Sequence, residues 1–113
     1  MNFDELVAGN LQELRRGTVV LACLLLLRRP GYGYALLDEL RDLGFVVDAN
    51  TLYPLLRRLE GQGMLASEWN IDDARPRKFY HVSADGERLT AELMTDWARI
   101  DDAIRRLTEG DHR

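Results

Sequence analysis

The spacing of apolar residues changes twice along this chain, and no other feature constrains the fold as strongly. Up to residue 61 they recur every three or four positions, as on one face of an α-helix. Between residues 64 and 82 they alternate, which indicates β-strands. From residue 83 the helical spacing returns and continues to about residue 107. The sequence therefore predicts short helices, one hairpin and one long helix.

Two helices are predicted before the first break in the chain. The first covers residues 3–14, where apolar residues recur at helical spacing and Asn2 with Glu5 resembles a capping box. The second is the leucine-rich run Val19–Leu27, which is apolar on all sides and is therefore expected to be a helix buried on all sides. It contains Cys23, which we expect to be a buried, unreactive thiol.

Two further helices are predicted in the middle of the chain. One begins near Tyr34 and ends at Gly44, because glycine readily adopts the left-handed conformation that ends a helix. The other keeps its leucines at helical spacing as far as Gly61, and its N-cap is either Asp48 or Asn50. A tight link between them is typical of a helix-turn-helix unit.

The alternating segment predicts a two-stranded hairpin. Its first strand is Met64–Ile71, and the alternation places Trp69 on a half-buried face. A polar turn that contains Asp73 follows, and the second strand is Lys78–Val82.

The last predicted element is a helix that begins after the N-cap Ser83 and runs to about residue 107, a length of roughly 37 Å. A domain of this size does not cover all of such a helix, so its apolar stripe is expected to be a dimer interface. The residues of this stripe are Leu89, Leu93, Trp97, Ile100, Ile104 and Leu107.

The order of these elements is that of a winged helix-turn-helix with a long C-terminal dimerisation helix, a mainly α fold with a small β-hairpin. A chain of 113 residues fits one domain with an appendage. We expect an N-terminal helix at 1–16, the winged helix-turn-helix DNA-binding domain at 17–82, the dimerisation helix at 83–108 and a tail at 109–113.

Composition and motifs argue against several other classes of protein. The chain has a single cysteine, which cannot form an internal disulfide. His81 and His112 have no cysteine pair near them, so no metal site is expected. Ser67 and Ser83 lack the surroundings of a hydrolase nucleophile, and no phosphate-binding loop occurs. The apolar run before residue 28 is far shorter than the roughly 20 residues of a membrane span. We therefore expect a cytoplasmic protein without enzymatic activity, cofactor or membrane association.

The charge distribution leaves room for a local basic surface. The net charge of −4 excludes a nucleic-acid binder that is basic all over. Residues 50–80 nevertheless carry a net charge of +1, whereas residues 1–49 carry −2 and residues 81–113 carry −3. The segment that contains the predicted third helix of the helix-turn-helix and the hairpin is thus the only one with a positive balance.

Several short stretches also occur in a specific order. They are Gly33-Tyr34, Thr51-Leu52-Tyr53-Pro54-Leu55-Leu56-Arg57-Arg58-Leu59-Glu60, Gly63-Met64-Leu65, Trp69, Arg77-Lys78-Phe79-Tyr80 and Gly86. Together they resemble the signature of PadR-like transcriptional regulators over residues 17–107. The departures are mild: Ala35 replaces a usual acidic residue, Phe79 a tyrosine and Ser83 a threonine. The alanine at position 35 puts in doubt the capping of the helix that is predicted to begin near Tyr34.

The resemblance implies a homodimeric winged-helix repressor, usually bacterial, that acts on a palindromic operator near its own or an adjacent gene. Short members of the family have a single C-terminal dimerisation helix. Some bind small aromatic or cationic compounds at the dimer interface, and their affinity for DNA then changes.

Eight residues are the candidate contacts to double-stranded DNA, and several have a plainer alternative. Asn50 is equally suited to capping its helix, and Tyr34 is equally suited to a place in the core. The alternative for Tyr53 is that its ring packs under the wing. Arg57 follows Tyr53 by four residues and so shares its helix face. A basic hairpin is often merely solvated. The candidates are Tyr34, Asn50, Thr51, Tyr53, Arg57, Arg75, Arg77 and Lys78.

A small-molecule effector site is expected around Trp97, with Met94 and Asp101 beside it. The simpler interpretation of Trp97 is a tryptophan in the dimer core, and that of Asp101 is a solvated charge. A second functional hypothesis is a protein–protein or ligand-binding module that kept the winged fold without binding DNA. The acidic net charge motivates this alternative.

Overall fold

The computed structural model describes residues 1–72 and 74–110. Within them the helices are α1 (Phe3–Arg15), α2 (Thr18–Leu26), α3 (Gly33–Asp42), α4 (Ala49–Gly61) and α5 (Ala84–Thr108), and the strands are β1 (Gly31–Tyr32), β2 (Leu65–Asn70) and β3 (Arg77–Val82). The predicted fold class, mainly α with a small hairpin in a winged helix-turn-helix order, is confirmed. Asp73 of the expected turn and residues 111–113 of the expected tail, His112 included, lie outside the described residues.

Side-chain caps define where the helices begin. Asn2 Oδ1 accepts a hydrogen bond from the backbone N–H of Glu5 at 2.8 Å, as the N-cap of a capping box does. The returning bond to the Glu5 carboxylate comes from Asn2 Nδ2 at 3.2 Å, where a complete capping box uses the backbone N–H of the N-cap residue. At α4 the cap is Asp48, whose carboxylate accepts from the N–H of Thr51 at 2.9 Å. Asn50 therefore lies inside the first turn of α4, and its side chain is free of the capping role.

The ends of α3 and α4 also follow the sequence signals. Gly44 and Gly63 each follow a helix with positive φ, 95° and 81°, the left-handed conformation in which a side chain would be strained. Ser83 caps α5 by accepting from the N–H of Gly86 at 2.9 Å.

The sheet contains one strand more than the sequence predicts. Its strand order is β1-β3-β2, with both pairs antiparallel. The extra strand is β1, in which Gly31 pairs with Tyr80 and Tyr32 pairs with Phe79. Two residues are too few to show an alternating pattern, so the Pro-Gly segment was expected to be only a break. In the fold it fastens the start of α3 to the hairpin.

Buried leucines from α2, α3 and α4 form the core, which the inner face of the hairpin covers. The core residues are Cys23, Leu24, Leu27, Leu36, Leu40, Val47, Leu52, Leu56, Leu59, Leu65 and Tyr80. The expectation that α2 is buried on all sides is wrong: Cys23 and Leu24 are buried, but its other residues are only half-buried. Burial raises the pKa of the Cys23 thiol to about 12.

Two helices carry apolar faces that the rest of the chain leaves uncovered. None of the residues of α1 is buried, and Phe3 is 75 % exposed. On α5, Leu89 and Leu93 pack against the core, but the stripe beyond them is exposed, with Trp97 at 46 % and Ile104 at 54 %.

Candidate nucleic-acid interface

Helix α4 separates its residues into an apolar face and a polar face. Leu52, Leu56 and Leu59 are buried, whereas Asn50, Thr51, Pro54, Arg57 and Arg58 are exposed. Pro54 has no N–H, so the carbonyl of Asn50 lacks its helical hydrogen-bond donor. Neither arginine forms an ion pair within the described part of the chain. The outer face of α4 thus presents polar and cationic groups to solvent.

Tyr53 packs α4 onto the start of α3. A Cβ placed on Gly33 would lie 2.5 Å from Cε1 of the Tyr53 ring, so the ring occupies the space that a side chain at position 33 would need. Position 33 is therefore restricted to glycine by packing, since its backbone is that of an ordinary helix. The contact of the Tyr53 hydroxyl with DNA stays a prediction.

Four side chains form a tyrosine–arginine cluster that joins the start of α3 to the hairpin, and these are Tyr32, Tyr34, Asn70 and Arg77. The rings of Tyr32 and Tyr34 are stacked, with 5.6 Å between their centroids. Arg77 Nη1 donates to the hydroxyl of Tyr34 at 2.9 Å, and its guanidinium carbon lies 5.2 Å from the centre of that ring. Asn70 Nδ2 donates to the hydroxyl of Tyr32 at 2.6 Å. Because Tyr34 is 48 % exposed, its alternative interpretation as a core residue is wrong.

Glu60 fastens the other face of the hairpin to α4. Its carboxylate accepts from the hydroxyl of Ser67 on β2 and from Lys78 Nζ on β3, the latter at 2.9 Å. The hydrogen bond from Ser67 and then the one from Lys78 lower the pKa of Glu60. The hydrogen bond to Glu60 raises the pKa of Lys78. The ammonium group of Lys78, predicted to contact phosphate, is therefore already paired within the chain.

The structure divides the eight candidate DNA contacts into groups. Asn50, Thr51 and Arg57 lie together on the exposed face of α4, and Tyr34 is joined to Arg77 at the start of α3. Arg75 is exposed just before β3. Lys78 is only half-buried but faces α4.

Sequence reasoning missed Tyr32, Asn70 and Glu60, which hold the hairpin in place. Tyr32 lies in the segment taken for a break, and Asn70 lies near the end of the predicted first strand, 38 residues from its partner Tyr32. Glu60 is part of the PadR-like stretch, but its partners are 7 and 18 residues away, and no local pattern links them.

Comparison with known proteins agrees with this geometry. A sequence model described as "Transcriptional regulator PadR-like family" matches residues 20–92, more than half of the chain. The chain belongs to the PadR-like family of transcriptional regulators. Members of this family are transcriptional regulators, which act by binding DNA.

Relatives of known structure or description support this membership. The chain is 47 % identical to a PadR family transcriptional regulator from Eggerthella lenta, whose crystal structure superposes with a TM-score of 0.90 over 95 % of this chain and 96 % of that one. A PadR-like transcription factor from Bacteroides fragilis is 29 % identical, with a TM-score of 0.72 over 88 % and 98 %. The transcriptional regulator Rv3488 of Mycobacterium tuberculosis is 35 % identical over 79 residues, 70 % of this chain and 71 % of that protein.

The three residues expected around an effector lie on the exposed part of α5 of this PadR-like chain. Met94 is 40 % exposed and Trp97 is 46 % exposed. Asp101 accepts from Nε of Arg105 at 3.0 Å, one helical turn away. A cavity of about 910 Å³ lies elsewhere, between α1, α2 and α4, with Val19, Phe45 and Arg58 among its lining residues.

Residues 1–72 and 74–110 lack two further features. No helix there combines the length and apolar character that a membrane span requires. No group of three or more His, Cys, Asp and Glu side chains there is arranged to hold a metal ion.

Proposed function

We propose that this PadR-like protein is a homodimeric repressor that binds a palindromic operator. The observation that carries the proposal is the exposed face of α4. Asn50, Thr51 and Arg57 are exposed there, and Arg57 has no ion-pair partner in the described chain. A major groove about 12 Å wide admits an α-helix whose outer face is polar and cationic. Helix α4 then contacts the bases, and the remaining candidate residues contact the sugar-phosphate backbone of the DNA.

The wing contributes phosphate contacts in this proposal. Arg77 supplies a guanidinium already oriented by Tyr34, and Arg75 supplies a second cation. Lys78 contributes less than the arginines in this proposal, because its ammonium group is paired with Glu60. Tyr34 and Tyr53 offer their hydroxyl groups to phosphates near the start of α3 and on α4. Phosphate contacts release counterions, so the affinity should fall steeply with salt concentration.

A second copy of the chain is the occupant proposed for the uncovered apolar faces. Residues 1–16 and 83–108 supply the dimer contacts, while residues 17–82 bind DNA and residues 109–113 form a tail. The stripe of α5 and the apolar residues of α1 are exposed in the described chain, and large exposed apolar patches mark interaction surfaces. Twofold symmetry then places two copies of α4 on half-sites one helical turn apart, or a multiple of it.

Fluorescence anisotropy tests the proposal, with the gene's own upstream DNA at low and moderate salt and an unrelated duplex as competitor. Arg57→Ala should weaken binding about tenfold, because a good arginine contact to a base is worth about 1–3 kcal/mol. Arg88→Ala is the matched control, since Arg88 is exposed on α5 and, among the residues that the structure describes, its ion pair is with Asp85. Light scattering should show that both variants keep the oligomeric state of the wild type.

Two results would contradict the proposal. An Arg57→Ala variant that binds as tightly as the wild type would mean that α4 is not the reading helix. Binding no tighter than to competitor at either salt would favour the alternative function, a winged-helix module for protein or ligand binding. The net charge of −4 is the observation that favours this alternative.

An effector site at the dimer centre is also part of the proposal. Trp97 lies near the middle of α5, at the start of its exposed stripe, and paired copies would flank the twofold axis with Met94 and Asp101 nearby. A small aromatic or cationic compound that binds there should quench the emission of Trp97 more than that of Trp69. Single-tryptophan variants separate the two signals, and the reverse pattern would move the site elsewhere.

A further inference from the structure

We propose that Trp69 is a DNA-contacting residue, which packs its ring on the deoxyribose faces of the strand lying between α4 and the hairpin. The inference rests on the proposed DNA binding and names an apolar contact within it. None of the cationic and polar candidates supplies such a contact.

The register of the hairpin determines which way Trp69 points. Directly opposite residues of an antiparallel pair share one face, and Trp69 pairs with Lys78 while Ser67 pairs with Tyr80. Lys78 and Ser67 both reach Glu60 on α4, so this is the face that looks toward α4. Trp69 is therefore on the α4-facing side, directly opposite Lys78 and nearer the hairpin turn than Ser67.

The described part of the chain leaves most of the Trp69 side chain uncovered. It is 61 % exposed, and Ile71, which follows the end of β2, is 74 % exposed. The alternation in β2 predicts a half-buried face, and Leu65 fulfils that prediction with 2 % exposure. The last buried residue on this face of the hairpin is Tyr80. Beyond Tyr80 the apolar face is uncovered, and it borders the open angle between α4 and the hairpin.

The charges around this angle favour a DNA strand as the occupant. Arg77 pairs with Asn70 on the opposite face of the hairpin and is held by Tyr34, so it is not one of the cations at this angle. The cations here are Arg57, on the exposed face of α4, and Arg75, which is exposed just before β3. The nearest carboxylate on α4 is that of Glu60, which Lys78 neutralises. A strand whose phosphates contact these arginines brings its sugars to the surface between them. A flat aromatic ring covers a sugar without reading the base, so the contact adds affinity with little sequence preference.

The test uses full-length protein with Trp97→Phe, which leaves Trp69 as the single tryptophan. On addition of the upstream duplex, Trp69 emission should shift to the blue and become less accessible to acrylamide. In the wild-type background, Trp69→Ala should weaken binding about tenfold, while Trp69→Phe keeps most of the affinity. Leu43→Ala, which removes an exposed apolar side chain at the end of α3, is the control and should change nothing.

The salt dependence distinguishes this contact from an ionic one. An apolar contact releases no counterions, so Trp69→Ala should lower the affinity at every salt concentration and keep the slope of log K against log salt. Arg77→Gln should instead reduce that slope by about one unit.

Each outcome decides the inference. If the duplex binds by anisotropy but Trp69 emission and acrylamide quenching stay unchanged, the inference is wrong while the proposed function stands. A shift of Trp69 emission that appears on dimerisation, before any DNA is added, would assign the residue to the protein interface and overturn the inference. If no duplex binds specifically, the proposed function falls, and this inference falls with it.

Discussion

Gly86 is the position where one added methyl group should cost the fold most. It lies in the first turn of α5, against the turn that connects α4 to β2. A Cβ at this position would overlap the carbonyl oxygen of Met64 and lie 2.5 Å from Cγ2 of Val82. The Met64 carbonyl belongs to the backbone and accepts the N–H of Ser83 at 3.0 Å, so it cannot move without disturbing the cap of α5.

The expected cost of Gly86→Ala is about 2 kcal/mol. Overpacking of a filled site typically costs 1–3 kcal/mol, and the weakened Ser83 hydrogen bond adds about 1 kcal/mol. Alanine recovers about 1 kcal/mol, because it is the better helix former. The steric terms exceed this gain, since the atom that must move is held in the backbone.

Urea unfolding at equal protomer concentration measures this cost. The midpoint should fall by about 1 M with an unchanged slope, and the unfolding temperature should fall by about 10 °C. Gly9→Ala is the matched control: nothing lies within 4 Å of a Cβ there, so the better helix propensity should leave stability equal or slightly higher. A Gly86→Ala protein as stable as the wild type would refute the packing argument for the α5 junction.

Two further variants test the wing anchor and the dimer. Glu60→Gln should lower stability at pH 7. Because the folded state holds the pKa of Glu60 below its ordinary 4.5, the stability difference from wild type should shrink as the pH falls through and below that value, which urea midpoints between pH 7 and pH 3 would show. The same difference at pH 3 as at pH 7 would contradict the assigned role of Ser67 and Lys78. Ile104→Asp should produce monomers in light scattering, because it places a charge in the exposed stripe of α5, whereas an unchanged mass would remove that stripe from the proposed interface.

The helices were predictable because their signals are local. Asn2, Gly44 and Ser83 each act within four residues of themselves, and the structure finds them at the expected helix ends. The choice between Asp48 and Asn50 as the cap of α4 was not decidable from the pattern, because either side chain reaches a free N–H in the first turn. The structure selects Asp48.

The arrangement of the wing was not predictable, because it depends on pairs that are distant in sequence. Arg77 meets Tyr34 across 43 residues, and Lys78 meets Glu60 across 18. A period-two pattern shows which residues share a face but not where the core beneath that face ends. Trp69 was therefore expected to be half-buried, although the core stops short of it.

The hairpin is fastened on both faces, to α3 through the tyrosine–arginine cluster and to α4 through Glu60. Such bracing leaves the unit of α3, α4 and hairpin with few internal degrees of freedom. In a dimer, a signal that lowers the affinity for DNA would then have to alter the distance or the angle between the two rigid units. Helix α5 is 25 residues long, and in the described chain its first turns pack against this unit. A change in the distance or angle between the two units would therefore be transmitted through α5.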